Sequence, residues 1–282
     1  MDAKANLPVI PDSRADDLHH LETSESSQLN LFMAGNQFML MRELVDVFRE
    51  QHPEIQNIYY QTLPPGLQLK QILSGGAWFR GRCIDVKPDI YASVNAAAMI
   101  KLAAAAKIEP DSHRLYLHNR LVLLVPSGNP AAIAAVADLG GDTVRISQPD
   151  PLNEDIAFHI MDMYRDAGGK ELVRRIMDEK RAQGTTIMTV VHHRETPLRL
   201  QKQTVDVGPV WATEAAYALR QNLPVEMVDP GPGLDQRRHI NYYICRLAQA
   251  PNADNAKTFL KFMRTQRARA VYEKYGFITP ER

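Results

Sequence analysis

The sequence predicts an α/β fold, and three observations carry that prediction. Short apolar runs, such as residues 29–33 and 119–125, alternate along the chain with stretches in which apolar residues recur at helical spacing. The runs end at loops rich in Gly, Pro, Asn and Ser, which favour turns. The length of 282 residues allows one large domain or two of ordinary size. A repeated strand-loop-helix order is typical of a parallel sheet, which we therefore expect here.

The elements follow one another in chain order. After the strand at residues 29–33, the first helix places Met41, Leu44 and Phe48 on one face and stops at Pro53. The further predicted strands are apolar or β-branched runs at residues 55–60, 88–93, 119–125, 143–146, 186–191, 205–211, 225–228 and 239–247. The further predicted helices have apolar residues at helical spacing and cover residues 67–73, 96–108, 154–167, 172–181, 213–221 and 253–275.

Residues 1–28 differ from the rest of the chain because they show no hydrophobic period. They carry prolines, aspartates and a Thr-Ser-Glu-Ser-Ser run at residues 23–27. Such a composition favours turns over packed elements. We therefore predict a flexible lead-in over residues 1–28, with regular structure beginning at Leu29.

Composition and charge exclude several classes of protein. Lys and Arg number 33, and so do Asp and Glu, so the chain lacks the basic excess of a dedicated nucleic-acid binder. An apolar content of 45% is too high for a chain that is disordered throughout. The longest candidate for a membrane span, residues 121–137, is interrupted by Pro126 and Pro130. No signal peptide is visible at the N-terminus, which predicts either a cytoplasmic protein or a mature form whose signal has been removed.

The sequence carries no signature of catalysis or cofactor binding. It lacks the nucleophile elbow, the glycine-rich dinucleotide loop, the phosphate loop of nucleotide hydrolases and the zinc-protease motif. We therefore expect no catalytic residues, no metal site and no cofactor. Cys83 and Cys245 are the only cysteines in the sequence. They are either a free pair or one disulfide, since their spacing decides neither.

One polar cluster, the His-His-Arg-Glu-Thr run at residues 192–196, directly follows the strand predicted at residues 186–191. Ligands of α/β proteins bind at the carboxyl ends of strands, and Pro197 suits the first turn of a helix whose free N–H groups favour anions. Arg194 adds a bidentate partner for a carboxylate or oxyanion. The cluster is therefore a candidate anion site. The alternative is a solvated loop whose charges pair with one another, and neighbouring histidines are poorly spaced for a metal.

Trp211 is a second candidate because it ends the strand predicted at residues 205–211. A tryptophan at a strand exit can wall a pocket and donate its indole N–H to a ligand. It can equally pack in the core, as most tryptophans do. Composition alone favours core packing for Trp211.

Several stretches carry a resemblance to a known family, and they occur in its order. These stretches are residues 31–36, 48–53, 87–93, 119–130, 207–215 and 255–277. Together they make residues 29–280 similar to the type II periplasmic solute-binding proteins of ABC importers, and within these to the molybdate-binding branch. The resemblance implies a two-lobed α/β fold with a ligand cleft between the lobes. It places lobe I at residues 29–117 with 240–282, and lobe II at residues 118–239.

The resemblance also implies ligand-binding residues at the strand-to-helix loops. The first-loop serine of the molybdate branch matches Asn36, and the second falls beside Gly66, where no hydroxyl is present. The family's tyrosine is Trp211 here. These departures favour a larger oxyanion, or an organic anion with an apolar part, over molybdate. The predicted ligand-binding residues are Asn36, Gly66, Ser93, Asn95, Gln148, His193, Arg194 and Trp211.

We therefore expect a solute-binding protein, not an enzyme, that captures a small anionic ligand for an ABC importer. The expected partners are that ligand and a membrane ABC permease, without nucleic acid, and the expected state is a periplasmic or otherwise extracytoplasmic monomer. Two alternatives stay open. One is an accessory or sensor protein on the same fold with a larger apolar or lipidic ligand. The other is a cytoplasmic enzyme or ligand sensor.

Overall fold

The computed structural model describes residues 6–94, 96–152, 154–190 and 195–280. The chain divides into two compact units, each with its own sheets and core. Unit 1 comprises Met1–Leu117 and Asn241–Arg282, and unit 2 comprises His118–Ile240. The chain thus leaves unit 1 once and returns to it once.

The helices and strands are as follows in the described part of the chain. The strands are β1 (Leu18–His19), β2 (Leu29–Phe32), β3 (Ile58–Gln61), β4 (Ala77–Phe79), β5 (Arg82–Ile84), β6 (Ile90–Ser93), β7 (Arg114–His118), β8 (Leu121–Pro126), β9 (Ile146–Gln148), β10 (Thr186–Met188), β11 (Gly208–Trp211), β12 (Val225–Val228) and β13 (Asn241–Arg246). The α-helices are α1 (Phe38–Gln51), α2 (Pro65–Ser74), α3 (Ala96–Ala104), α4 (Ile156–Arg174), α5 (Lys180–Ala182), α6 (Glu195–Gln201), α7 (Ala212–Arg220), α8 (Ala253–Phe262) and α9 (Gln266–Lys274).

Unit 1 is built on a sheet with the strand order β1-β3-β2-β6-β13-β7. Strand β2 pairs in parallel with both β3 and β6, so the carboxyl ends of these three strands lie at one edge. Strand β13 runs antiparallel to β6, and β1 runs antiparallel to β3. The sheet is therefore mixed, where the sequence predicted a parallel one. The reason is that β13 arrives from unit 2 and β1 from the N-terminal segment, so neither direction is set by a strand-helix-strand crossover.

The helices of unit 1 bury the faces that the sequence predicted. In α1, Met41, Leu44 and Phe48 are buried, which confirms the predicted apolar stripe. The ring of Phe48 lies 5.2 Å, between centroids, from the rings of both Phe259 and Phe262 in α8. Aromatic contacts in this geometry add to the free energy of burial. They join the first helix of unit 1 to its C-terminal helices.

The N-terminal segment differs from the prediction of a flexible lead-in. Leu18 and His19 pair with Gln61 and Tyr60, and Ile10 is buried. Residues 6–28 are thus part of unit 1, and the prediction is corrected for them. The segment forms short 3-10 turns and a two-residue strand, which are too short to leave a period in the sequence.

The described residues of unit 2 form two small sheets. Strands β9 and β10 pair in parallel, whereas β11 and β12 both run antiparallel to β8. A parallel bridge between Ile146 and Val207 joins the two sheets. Beside it, the guanidinium of Arg145 donates to the carboxylate of Asp206 from Nε at 3.1 Å and from a terminal nitrogen at 2.6 Å. The carboxyl ends of β9, β10 and β11 therefore point the same way.

Candidate functional site

Three of the predicted ligand-binding residues lie at the carboxyl edge of the unit 1 sheet. Asn36 follows β2, Gly66 lies in the first turn of α2 directly after β3, and Ser93 is the last residue of β6. Because these three strands are adjacent and parallel, their exit loops converge on one edge. Asn95 lies outside the described residues. The backbone thus brings together the ends of β2, β3 and β6.

Asn36 is held by a buried tyrosine. Its side chain is 4% exposed, and Nδ2 donates to the hydroxyl of Tyr242. The Oδ1 atom of Asn36 is buried and has no hydrogen-bond partner in the described part of the chain. A phenol can accept or donate a hydrogen bond, so the Asn36 amide can be rotated by 180°. Oδ1 would then accept from Tyr242, and Nδ2 would be the atom without a partner. Buried polar atoms are rarely left without a partner, so this amide is a candidate ligand contact.

The neighbouring Gln37 fixes the same loop to two further tyrosines. Its Nε2 donates to the hydroxyl of Tyr116, and its Oε1 accepts from the hydroxyl of Tyr272 at 3.1 Å. Burial raises the pKa of both phenols well above the ordinary value, so both stay protonated. Tyr116 and Tyr242 lie on β7 and β13, the strands by which the chain leaves and re-enters unit 1. The predicted lobe boundaries, near residues 117 and 240, were the sequence signal for the neighbourhood of Tyr116 and Tyr242.

In the loop after β3, the candidate ligand contact is a backbone N–H group rather than a side chain. Pro65 has no N–H, and the N–H groups of Leu67 and Gln68 donate to the carbonyl of Pro64 at 3.0 and 3.1 Å. Gly66 is therefore the residue in this turn whose N–H can face a ligand. A Cβ built on Gly66 meets no heavy atom within 4 Å in the described part of the chain. There is thus open space beside the backbone of Gly66.

Gln68 connects the loop after β2 to the loop after β3. Its Nε2 donates to the carbonyl of Met33 at 2.7 Å and also to the carbonyl of Leu63. A Cβ on Gly35 would lie 3.1 Å from the carbonyl oxygen of Thr62, so the two loops approach closely. Gln68 could not be predicted as a site residue, because a glutamine on a helix carries no sequence signal of the carbonyls that it will meet.

In unit 2, Gln148 and Trp211 lie at the ends of β9 and β11, on one edge. The amide of Gln148 is engaged within the unit, since Oε1 accepts from the hydroxyl of Tyr164 at 2.7 Å and Nε2 donates to the carbonyl of Pro149 at 3.1 Å. Trp211 is 2% exposed. That burial favours core packing, and a ligand role for either side chain stays a prediction. His193 and Arg194 lie outside the described residues.

Trp211 has an aromatic neighbour at this edge. The ring of His159, in the first turns of α4, lies 5.9 Å from the indole between centroids. Burial lowers the pKa of His159 below its ordinary value, and the proximity of His239 lowers it further, against an opposing effect of Asp162. The imidazole is therefore neutral at neutral pH.

Hydroxyl and charged side chains hold the other exits of unit 2. The hydroxyl of Thr189 donates to the carboxylate of Glu154 and accepts from the N–H of Asp150 at 3.2 Å. The carboxylate of Glu195 accepts from the N–H of Val190 at 2.9 Å and from Arg199 at 2.8 Å. The sequence signal for the second pair was the i,i+4 spacing of Glu195 and Arg199.

Across the described ranges, no three His, Cys, Asp or Glu side chains are grouped in a way that would hold a metal ion. No helix of the described chain combines the length and the apolar character needed to cross a membrane.

Comparison with known proteins adds the family context. Residues 29–278 match the family of bacterial extracellular solute-binding proteins. The fold is similar to that of the periplasmic molybdate-binding protein of Azotobacter vinelandii, with 18% identity, a TM-score of 0.69, and coverage of 90% of this chain and 100% of that one. It is also similar to the sulfate-binding protein SubI of Mycobacterium tuberculosis H37Rv, with 18% identity, a TM-score of 0.69, and coverage of 88% and 85%. A third similar structure is Peb3 of Campylobacter jejuni, with 14% identity, a TM-score of 0.64, and coverage of 89% and 99%.

These similarities confirm the fold class and the expected resemblance to solute-binding proteins, including the molybdate-binding branch at the level of fold. A comparison with the curated proteins found no match. At identities below one fifth, the solved structures show the fold and leave the ligand of this chain undecided.

Proposed function

Since this chain belongs to the bacterial extracellular solute-binding proteins, we propose that it captures a small anion and delivers it to a membrane ABC permease. Members of this family bind solutes outside the cytoplasm, which supports a periplasmic place of action. The ligand would be held at the carboxyl edge of the unit 1 sheet, by Asn36, Gly66 and Ser93.

The observation that carries this proposal is the convergence of three loops in unit 1. Asn36, Gly66 and Ser93 follow three adjacent parallel strands, and one buried amide atom of Asn36 has no partner in the described part of the chain. The loop of Gly66 opens a helix of ten residues, whose N-terminus favours negative charge. Amide, hydroxyl and backbone donors together suit an anion that is held by hydrogen bonds rather than by ion pairs.

The overall charge is consistent with such local recognition. The formal net charge of the chain is zero, so no long-range field draws an anion toward it. Attraction would have to come from the loops themselves. In unit 2, the resemblance assigns a similar role to Gln148, Trp211, His193 and Arg194, and we propose Arg194 as the cation among them. Similarity in fold to a molybdate-binding and a sulfate-binding protein supports an oxyanion or a related anion as the ligand.

A second candidate is a larger ligand with an apolar part, bound by an accessory or sensor protein. Two exposed apolar side chains favour it. Leu152 is 85% exposed on the loop after β9, and Val190 is 78% exposed on the loop after β10. Exposed aliphatic side chains at the strand exits of unit 2 would suit an alkyl or aryl substituent on an anion.

A thermal-unfolding screen tests the proposal. Sulfate, molybdate, phosphate and short carboxylates are each titrated against the protein, and at least one is expected to raise the unfolding temperature. A ligand at about 100 times its Kd stabilises by ~2.7 kcal/mol. The variant Asn36→Ala should lose that response, and Gln56→Ala, at an exposed position of unit 1, should keep it. Medium-chain fatty acids are titrated in the same way, and stabilisation by them alone would favour the second candidate over the first.

A further inference from the structure

The segment that precedes the family match contacts the loop that carries Gly66. The match begins at residue 29, yet the N–H of Thr62 donates to the carbonyl of Asp17 at 2.8 Å. The hydroxyl of Thr62 also donates to Oδ1 of Asp17 at 3.2 Å. Thr62 directly follows β3 and is the first residue of this loop. Both its backbone and its side chain are thus held by one aspartate.

Asp17 is itself held by a buried charge. Its Oδ2 lies 3.3 Å from a guanidinium nitrogen of Arg14, and the two side chains are only 3% and 9% exposed. Removing one member of a buried ion pair leaves an uncompensated charge in a poorly hydrated place. Arg14 therefore keeps the Asp17 carboxylate in position. Arg14, Asp17 and Thr62 form a connected polar chain from the N-terminal segment to the loop.

Apolar packing attaches the same segment to the far side of the loop. Ile10 and Leu63 belong to one buried cluster, and Leu67 packs against it. The N–H of Ile10 donates to the carbonyl of Trp78 at 2.7 Å, and the N–H of Trp78 donates to the carbonyl of Pro8 at 2.8 Å. The segment is thus anchored to strand β4 before it reaches Asp17. An N-terminal segment that is anchored in this way can restrain a loop, whereas a free terminus cannot.

We propose that Asp17 is a positioning residue for the ligand-binding loop of unit 1. This inference rests on the proposed function, because it assigns Asp17 to the same site. Asp17 acts through Thr62 and fixes where β3 ends and α2 begins. A hydroxyl has a single hydrogen to donate, and that of Thr62 goes to Asp17. The loop then presents the N–H of Gly66 to the ligand in a fixed direction, which lowers the entropy lost on binding.

The test compares four substitutions in the full chain. Thr62→Val removes the hydroxyl but keeps the backbone bond to Asp17 and the pair of Arg14 with Asp17. Thr62→Ser restores the hydroxyl. Asp16→Ala is the matched control, since Asp16 is the exposed neighbour of Asp17. Asp17→Ala is added as the stronger variant, and Thr62→Val keeps the test decisive if Asp17→Ala fails to fold.

Two measurements are made on each variant. Hydrogen exchange, followed by mass spectrometry, reports on peptides that cover residues 62–68. Calorimetric titration reports on Kd for whichever of sulfate, molybdate and phosphate binds the parent. We expect Thr62→Val to exchange faster in this peptide than in the rest of unit 1, and to bind about fivefold more weakly. Thr62→Ser and Asp16→Ala should match the parent in both.

The two readouts separate this inference from the proposed function. Unchanged exchange and unchanged Kd in Thr62→Val would overturn the role of Asp17. Faster exchange in Thr62→Val, with no anion bound by the parent, would support the restraint of the loop and overturn the proposed ligand class. Faster exchange throughout unit 1 would show a general stabilising role instead, and would also overturn the positioning role.

Discussion

The two units present their strand exits in different ways. In unit 1, three adjacent strands of one sheet end side by side, and neutral amides and phenols hold the loop of Asn36 and Gln37 after β2. In unit 2, the described residues place the exits of β9, β10 and β11 on two small sheets that a parallel bridge between Ile146 and Val207 joins. Carboxylates and an arginine act at these exits, through Thr189 with Glu154 and Glu195 with Arg199, beside the neutral pair of Gln148 with Tyr164.

The two units fix the positions of the loops after their strands by different physical means. Three adjacent parallel strands of one sheet set the spacing of their exit loops by themselves, so unit 1 needs only neutral hydrogen bonds to orient Asn36. Two short sheets fix the spacing of the exit loops less firmly. Unit 2 uses charge-assisted hydrogen bonds, which are stronger and more directional. The stability of unit 1 is therefore expected to depend on side chains packed behind its sheet. The stability of unit 2 is expected to depend on close contacts among the ends of its strands.

The largest effect is expected in the core of unit 1. Phe48→Ala should lower the free energy of unfolding by about 3–5 kcal/mol, because it removes a buried ring that packs on Phe259 and Phe262. Phe158→Ala is the matched control in unit 2, since that ring is 52% exposed and its loss should change stability little. Denaturant unfolding measures both. Equal losses in the two variants would contradict the assignment of the packing to unit 1.

The next effect tests the close contacts of unit 2. A Cβ on Gly208 would collide with the methyl of Thr196 and lie 3.1 Å from the carbonyl of Ser147, so Gly208→Ala should destabilise by about 1–3 kcal/mol. Gly66→Ala provides the contrast in unit 1. Its Cβ enters open space, so stability should be kept or raised by about 0.5–1 kcal/mol while anion affinity falls.

Calorimetry and thermal unfolding measure the two glycine variants together. A loss of stability in Gly66→Ala would contradict the open space beside Gly66. Unchanged stability in Gly208→Ala would contradict the close packing around Gly208.

A smaller effect concerns the tyrosine behind Asn36. Tyr242→Phe removes the hydroxyl that orients the Asn36 amide, at a cost of about 1 kcal/mol, equivalent to roughly fivefold in anion affinity. Tyr243→Phe is the neighbouring control and should bind like the parent. Titration with the anion found in the screen measures both. Equal affinity in the two variants would show that Tyr242 does not orient the site.

The smallest expected effect is on pH dependence in unit 2. Burial lowers the pKa of His159 below 6.5, so the ring protonates more readily in the unfolded chain than in the folded one. Its contribution to stability is therefore complete above pH 6.5 and is lost as the pH falls through the folded pKa. Thermal unfolding between pH 7.5 and about 5 should show a shallower decline in His159→Gln than in the parent. Parallel curves for the two proteins would contradict this.

Local patterns in the sequence predicted much of the fold. The apolar stripe of α1, the strands at 29–33 and 119–125 and the stop at Pro53 follow from spacing and turn formers, which act over a few residues. The break at Gly168-Gly169 is likewise visible in the helix, where Gly169 adopts a φ of 68°. Short elements held by their partners, such as β1 and the hairpin of β4 and β5, left no such signal.

The candidate site was only partly accessible from the sequence. Asn36, Gly66 and Ser93 could be predicted because the end of a parallel strand is a position in the sequence as well as in the fold. Gln68 and Tyr242 could not, because their partners lie on other elements. A ligand-binding role stays a prediction for every proposed residue: Asn36, Gly66, Ser93, Asn95, Gln148, His193, Arg194 and Trp211.

The sequence by itself determined the α/β class, the order of the elements and the family, since each depends on residues near one another in the chain or on their order. Only the tertiary structure decided which side chains support the site. Asn36 and Tyr242 are 206 residues apart, and Asp17 and Thr62 are 45 apart. Contacts over such separations depend on strand register and direction, which local propensity does not encode. For the same reason, residues 6–28 have the composition of a free terminus and yet form part of unit 1.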